Sequence, residues 1–267
     1  MAPGSGLQYI IISSVALVAS LLTLLSGFGL ATVLMPAFAL FFPLVIAVSA
    51  TAVVHLANNL FRLVLLWRKA NWAVVLRFAL PAAVAAVFGA LLLNTIAAFP
   101  PMTQYELGNT IYQVTMLKLM IGLVIIAFAV IELIPSWRNV ALASRWLPLG
   151  GVLSGFFGGL SGNQGAFRSA FLIRSGLDTE AYVATGVVSS VIVDIVRLLV
   201  YGINFSAANF AAVNGTIVWP VIAAMVFSFA GSIIGAMLIK KVTMGALQYI
   251  VTVMLTIIGV TLCMGVI

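Results

Sequence analysis

Charged side chains are scarce in this sequence, and their scarcity decides its broad class. Lys, Arg, Asp and Glu together make up 6% of the 267 residues, whereas hydrophobic residues make up 64%. This composition lies outside the range of soluble globular domains, so a soluble protein is excluded. Apolar runs of about 20 residues, the length that crosses a bilayer, fill most of the chain. The sequence therefore predicts a multi-pass membrane protein.

Cysteine and histidine are also scarce, with one residue of each, Cys263 and His55. A single cysteine excludes an internal disulfide, and the lack of a Cys–His cluster argues against a zinc site. The sequence shows no P-loop, and we expect neither a cofactor nor a metal ion. No basic run exceeds two residues, so the net charge of +7 predicts cytoplasmic loops and not nucleic-acid binding. The first ten residues lack a basic segment, so we expect no cleaved signal peptide.

Eight apolar segments cover the chain, and two of them are unusual. The first is too long for one crossing and is interrupted by SGFG, Ser26 to Gly29. The fifth is interrupted by the polar sequence GGLSGNQG. The long polar linker is Asn94–Tyr112. The eight predicted segments are Leu7–Pro43, Leu44–Trp67, Trp72–Leu93, Gln113–Ile134, Leu147–Ser175, Thr179–Tyr201, Thr216–Ile239 and Gly245–Val266.

The two halves of the sequence resemble each other. SGFG in the first half matches SGFF, Ser154 to Phe157, in the second. The segment ATAVVHLANNLFRLVLLW in the first half matches ATGVVSSVIVDIVRLLVY in the second. Because the matching segments occur in the same order, we infer an internal duplication. The first repeat is assigned to residues 1–134 and the second to residues 147–267, within one membrane domain.

Basic residues in the loops select one arrangement of these repeats. If the fifth segment is a re-entrant hairpin that enters and leaves on one side, seven basic residues share a side, as the positive-inside rule requires. They are Arg68, Lys69, Arg138, Arg145, Arg174, Lys240 and Lys241. The predicted fold is an all-α integral membrane protein of two inverted repeats, each a broken or re-entrant helical hairpin plus three transmembrane helices. Both termini are then expected outside.

The polar tip of the second hairpin predicts a binding site. Unwound backbone within the membrane is tolerated where it lines a watery cavity. The half-helix that restarts near Gln164 offers free N–H groups and a positive dipole end, and Arg168 adds a guanidinium suited to an oxyanion. Close packing is the alternative interpretation of the glycines. The predicted tip residues are Ser161, Gly162, Asn163 and Gln164, opposed by Ser26, Gly27 and Gly29 of the first hairpin.

A second polar pattern occurs in the segment after each hairpin. His55, Asn59 and Arg62 share one face of a helix, since their spacing is i, i+4, i+7. An offset of 135 residues maps them to Ser190, Asp194 and Arg197, and Asn58 flanks the first set. We interpret both faces as walls of a substrate cavity. The alternatives are mutual neutralisation of Asp194 and Arg197, extension of Arg62 and Arg197 to the headgroups, and a packed, hydrogen-bonded His55.

The block GFFGGLSGNQGAFRSAFLIRSGLDTEAYVATGVV resembles the sulfite exporter TauE/SafE family of membrane permeases. In the first half, SGFGLATVLMPAFALFF followed by AVSATAVVHLANN looks like the first repeat of the same family. The resemblance thus covers nearly the whole chain. It implies movement of small sulfur-containing anions, such as sulfite or small organosulfonates, across the bacterial inner membrane.

The sequence therefore favours a plasma-membrane transporter that exports a small oxyanion, and not an enzyme. An anion channel is the first alternative. The second is an intramembrane serine hydrolase, because GLSG, Gly159 to Gly162, matches the nucleophile site of rhomboid-like proteases. Ser161 would need a general base, and the one histidine precedes it in the chain. The expected partners are the anion and the lipid bilayer, with a homo-oligomer left open.

Overall fold

The computed structural model describes residues 6–26, 30–108, 110–133, 144–173, 175–204, 215–238 and 244–267. Short 3₁₀ turns occur at Trp67–Lys69 and Ser144–Trp146. The helices and strands are α1 (Gly6–Ser26), α2 (Leu30–Ala39), α3 (Leu44–Leu66), α4 (Trp72–Ala97), β1 (Thr103–Leu107), β2 (Thr110–Val114), α5 (Met116–Leu133), α6 (Leu147–Ser161), α7 (Gly165–Leu172), α8 (Thr179–Asn204), α9 (Val218–Leu238) and α10 (Met244–Cys263).

The helices have the length and surface of membrane spans. Among the described residues, α1, α3, α4, α8 and α9 are long and apolar enough to cross a bilayer. Large apolar side chains such as Val64, Val84 and Leu199 are exposed on these helices, as expected where lipid covers them. The predicted all-α membrane fold is confirmed.

Two helices are broken where the sequence predicts. α1 ends at Ser26 and α2 begins at Leu30, while α6 ends at Ser161 and α7 begins at Gly165. An added Cβ on Gly150, early in α6, would lie 2.2 Å from the ring of Phe171, late in α7. Because the start of α6 meets the end of α7, these two helices form a hairpin.

Glycines of α6 allow this hairpin to pack closely on α4. Gly151, Gly155 and Gly159 are spaced one turn apart, and a Cβ added to them would lie 1.9 to 2.2 Å from carbonyl oxygens of α4. Only glycine allows two helix backbones to approach so closely. Close packing therefore accounts for these three glycines, of which Gly159 belongs to the tip sequence GGLSGNQG.

Matching contacts recur in the two halves. α1 packs on α9, and α6 packs on α4, so the first helix of each broken pair lies against a long helix of the other half. Ser20 of α1 donates its hydroxyl to the carbonyl of Ser228 on α9, at 2.6 Å. Gly155 of α6, which matches Ser20 at an offset of 135 residues, touches Ala82 of α4.

The offset that relates Ser20 to Gly155 corrects one detail of the match between the two halves. Ser20 and Gly155 are 135 residues apart, the same offset as in the second segments. At this offset SGFG corresponds to SGNQ, Ser161 to Gln164, instead of SGFF, and both helix breaks coincide. The repeat boundaries and the inverted orientation stay predictions. Of the basic residues that support them, Arg138, Arg174, Lys240 and Lys241 lie outside the described residues.

The predicted linker Asn94–Tyr112 contains the end of a helix and two strands. α4 continues to Ala97, and β1 and β2 form an antiparallel hairpin with Tyr105 opposite Tyr112. The hydroxyl of Tyr105 donates to the carbonyl of Met264, at 2.7 Å. Alternating side chains on either side of Leu107–Thr110 were the available signal for this hairpin.

Candidate anion-binding site

A cluster of hydrogen-bonded polar side chains joins α3 to α8 inside the molecule. His55 Nδ1 lies 2.6 Å from Asp194 Oδ2, and Asn59 Nδ2 donates to the same carboxylate oxygen at 3.2 Å. All three side chains are buried, Asp194 completely. A buried carboxylate is costly without partners, so these contacts hold the two helices together at this depth. His55 is thus packed and hydrogen bonded.

Arg197 neutralises Asp194 from one turn further along α8. Its Nη2 lies 2.8 Å from Asp194 Oδ1, and its Nη1 donates to the carbonyl of Gly158 at 3.0 Å. The Arg197 side chain is completely buried. This ion pair is the mutual neutralisation that was the alternative to a cavity wall. Extension of Arg197 to the headgroups is wrong, because the ion pair and the carbonyl hold it inside.

The break between α6 and α7 is attached to the same cluster. Gln164 Nε2 donates to Asp194 Oδ1 at 2.9 Å, and the Gln164 carbonyl accepts a hydrogen bond from Ser154 at 2.8 Å. Gly162 ends α6 with a φ of 83°, a left-handed conformation that glycine adopts without strain. A Cβ added to Gly162 would lie 3.0 Å from Arg197 Nη1, so a larger residue would press on the guanidinium.

Ser161 and Asn163 complete the tip, and both are buried. Ser161 donates to the carbonyl of Phe157 and accepts from Asn163 Nδ2, each at 3.1 Å. Among the described residues, the side-chain oxygen of Asn163 is buried without a hydrogen-bond partner. The hydrogen bonds described for His55 go to other residues, so they do not join Ser161 to a general base as a hydrolase would need.

A cleft of about 40 Å³ lies beside the polar cluster, with room for a few waters or one small oxyanion. Arg62 of α3 and Arg168 of α7 both line it. Arg168 donates to the hydroxyl of Ser190, which donates in turn to the carbonyl of Gly186 at 3.0 Å. The described walls hold two guanidinium groups and no carboxylate, so the cleft attracts anions. The other lining residues are Thr23, Asn59, Ser169, Leu172, Tyr182, Val183, Gly186 and Val187.

Comparison with known protein families agrees with this chemistry. The model of the sulfite exporter TauE/SafE family matches residues 12–262. The chain belongs to the sulfite exporter TauE/SafE family. The resemblance seen in the sequence is thereby confirmed, and a membrane transport protein follows from it. Comparison with curated proteins and with solved structures gives no match.

Some of the predicted site residues of this TauE/SafE chain lie away from the cleft. Asn58 accepts a hydrogen bond from Ser232 at 2.8 Å, so it joins α3 to α9. Gly27 and Gly29 lie outside the described residues, and Ser26 is described only as the last residue of α1. Among the described residues, no three His, Cys, Asp or Glu side chains gather where a metal ion could bind.

Sequence reasoning missed Tyr201, which is buried and donates its hydroxyl to the carbonyl of Gly159. Gly158 and Gly159 belong to the last turn of α6, and the carbonyl of Gly158 also accepts the backbone N–H of Gly162 at 3.0 Å. Arg197 and Tyr201 meet these two carbonyls from successive turns of α8. Their i, i+4 spacing was the available signal, but it required the neighbouring helix end to be known.

A second cavity of the TauE/SafE chain lies on the other side of the polar cluster. It has a volume of about 370 Å³. Along α3 its lining residues precede His55, and along α8 they follow Arg197, which is the reverse of the cleft. The cluster therefore separates the cavity from the cleft. The lining is mainly apolar: Ile46, Ser49, Ala50, Val53, Leu198, Tyr201, Gly202, Ile217, Val218, Val221, Ile222 and Met225.

Proposed function

We propose that this TauE/SafE protein is a carrier that exports small sulfur-containing oxyanions across the inner membrane of a bacterium. Sulfite and small organosulfonates are the proposed substrates. The proposed binding site is the cleft between Arg62 and Arg168. The observation that carries the proposal is that two guanidinium groups face one small cleft whose described walls hold no carboxylate.

The electrostatics of the cleft favour an anion between the two arginines. Arg62 and Arg168 line the same small cleft. Two like charges within the membrane are unfavourable unless an anion balances them. A guanidinium can give an oxyanion two parallel hydrogen bonds. Asp194 is already engaged by His55 and Arg197, which leaves the cleft for a substrate.

The ion pair between Lys69 and Glu180 indicates which side the cleft faces. Lys69 follows α3 and Glu180 lies in the first turn of α8, so the two helices run in opposite directions. The positive-inside rule assigns Arg68 and Lys69 to the cytoplasm. Tyr182, in the cleft wall, lies close to this end of α8. We infer that the cleft takes its anion from the cytoplasm. The opposite course of α3 and α8, which are matching segments, supports inverted repeats.

The membrane potential supplies a driving force for export. An inside-negative potential drives an anion outward by about 2.3 kcal/mol per charge for each 100 mV. The buried polar cluster closes the path from the cleft to the apolar cavity. Such a closed layer favours a carrier, which must change conformation, over a channel.

Flux into and out of proteoliposomes tests this function. The panel contains sulfite, sulfate, thiosulfate and short sulfonates, each with and without an imposed potential. We expect saturable flux of sulfite or a sulfonate, with counterflow, and acceleration when the potential drives the anion. Equal, non-saturating flux of all anions would instead indicate a channel. Empty liposomes and liposomes with Arg168→Ala protein serve as controls, and absence of flux for every anion would contradict the proposal.

A further inference from the structure

Arg62 and Arg197 occupy matching positions in the two halves but have different surroundings. Arg197 is completely buried, paired with Asp194 and bonded to the carbonyl of Gly158. Arg62 instead lines the cleft. Its Nε, like that of Arg197, is buried without a hydrogen-bond partner among the described residues, so the ion pair and the carbonyl of Gly158 are what distinguish Arg197. We call Arg197 locked, because its guanidinium is bonded to the carbonyl at the end of the preceding broken helix. We call Arg62 unlocked, because its guanidinium lines the cleft.

The partner that would lock Arg62 is close to it. At the offset that maps Arg62 to Arg197, Thr23 maps to Gly158. Thr23 lies in the last turn of α1, as Gly158 lies in the last turn of α6. Thr23 and Arg62 line the same cleft. A carbonyl oxygen can accept two hydrogen bonds, so the carbonyl of Thr23 can receive a guanidinium as that of Gly158 does.

The space that an unlocked Arg197 would face is also present. Tyr201 lines the apolar cavity, and it bonds the carbonyl of Gly159 next to the Gly158 carbonyl that Arg197 bonds. This cavity lies beyond the polar cluster, toward the ends of α3 and α8 opposite to Lys69 and Glu180. Release of Arg197 from Gly158 would place a guanidinium at the boundary of this cavity.

We propose that Arg62 and Arg197 exchange roles during transport. In a second conformation, Arg62 is locked against Thr23, and Arg197 is released and holds the anion on the side of the apolar cavity. Arg197 is thus the exit-side ligand of the anion, and the cavity is the exit path. This inference rests on the proposed function for the anion itself, but the exchange of the two arginines does not depend on which anion is carried.

The two sides would bind the anion with different strength. In the cleft, Arg168 assists Arg62, but the position that matches Arg168 in the first half is Val33, a buried apolar residue. The exit side therefore has one guanidinium where the cytoplasmic side has two. Weaker binding at the exit favours release outside.

Cysteine accessibility tests the exchange without any substrate. In a Cys263→Ser background, Ser49→Cys reports on the apolar cavity and Ser169→Cys on the cleft. Each is combined with Arg197→Met or with the matched variant Arg62→Met, and the purified protein is labelled in detergent with a charged maleimide, which reaches both sides of the protein. Ser144→Cys, at an exposed position, normalises the labelling.

Opposite responses are expected from the two arginine variants. Loss of a charge-assisted hydrogen bond shifts a two-state equilibrium by about tenfold or more. Arg197→Met should raise the labelling rate of Ser49→Cys and lower that of Ser169→Cys, and Arg62→Met should do the reverse. Unchanged rates, or shifts in the same direction for both variants, would overturn the exchange.

A second variant covers the case in which Arg197→Met does not fold. Asp194→Asn combined with Arg197→Met removes both charges of the pair, so no buried carboxylate is left without a partner. We expect the same rise in Ser49→Cys labelling in this double variant, and no rise would overturn the proposal. Sulfite flux measured on the same proteins separates the two claims, because absent flux in the parent protein would reject the proposed function alone.

Discussion

Asn59 of α3 donates a hydrogen bond of 3.2 Å to Asp194 of α8, and these two residues occupy matching positions in the two halves of the chain. When matching residues of two repeats touch, the axis that relates the repeats passes close to them. We infer that this axis crosses the polar cluster beside the cleft. The site is nevertheless asymmetric, because one half contributes an amide at this position and the other a carboxylate.

The close approach of α6 to α4 predicts a strong effect of a single methyl group. In Gly155→Ala the new Cβ would lie 1.9 Å from the carbonyl oxygen of Ala82. Overpacking of this kind lowers the free energy of unfolding by about 1 to 3 kcal/mol, so the melting temperature of the purified protein should fall clearly. Gly202→Ala is the matched control, since its new Cβ would meet no atom within 4 Å. Equal melting temperatures for the two variants would contradict this packing.

The orientation of the chain predicts the location of its ends. The ion pair of Lys69 with Glu180 places two predicted cytoplasmic segments together, and both termini are then expected outside. A reporter that is active only in the cytoplasm should be silent when it is fused after Ile267. The same reporter inserted after Ser144, beside Arg145, should be active. A strong cytoplasmic signal from the C-terminal fusion would reject the inverted arrangement.

The burial of His55 predicts a structural role. Its Nδ1 lies 2.6 Å from Asp194 Oδ2, and a hydrogen bond to a charged group contributes about 1.5 to 3 kcal/mol. We expect His55→Gln to lower the melting temperature and to leave the shape of the flux profile between about pH 5 and 8 unchanged. Asn58→Ala is the control for loss of a buried polar side chain on the same helix, because Asn58 bonds to α9 and not to Asp194. A flux that loses its pH dependence only in His55→Gln would show that His55 carries a coupled proton.

The helices and the helix breaks could be predicted from the sequence, because both follow from local composition. Apolar runs of this length are stable in contact with lipid, so they predict membrane helices. SGFG and GGLSGNQG interrupt these runs with glycine and polar residues that favour a helix break. The distinction between Arg62 and Arg197 could not be predicted. Both fit the same spacing, and only the packing of α6 on α8 decides that Arg197 is buried against Gly158 while Arg62 faces a cleft. The sequence also left open whether the glycines of α6 serve binding or helix packing, because the residues of α4 that they contact are distant in sequence.

The affinity of folded Arg168 variants for sulfite tests most directly whether the cleft is the anion site. Arg168→Lys keeps the charge but loses the forked hydrogen bonds, so the affinity should fall, and Arg168→Ala should lower it by at least about tenfold, which corresponds to about 1.4 kcal/mol. Arg145→Ala, which removes an exposed arginine beside Trp146, should bind as the unmodified protein does. The melting temperature recorded on the same monodisperse samples separates loss of binding from loss of folding. Unchanged affinity in folded Arg168→Ala would contradict the account and remove Arg168 from the site.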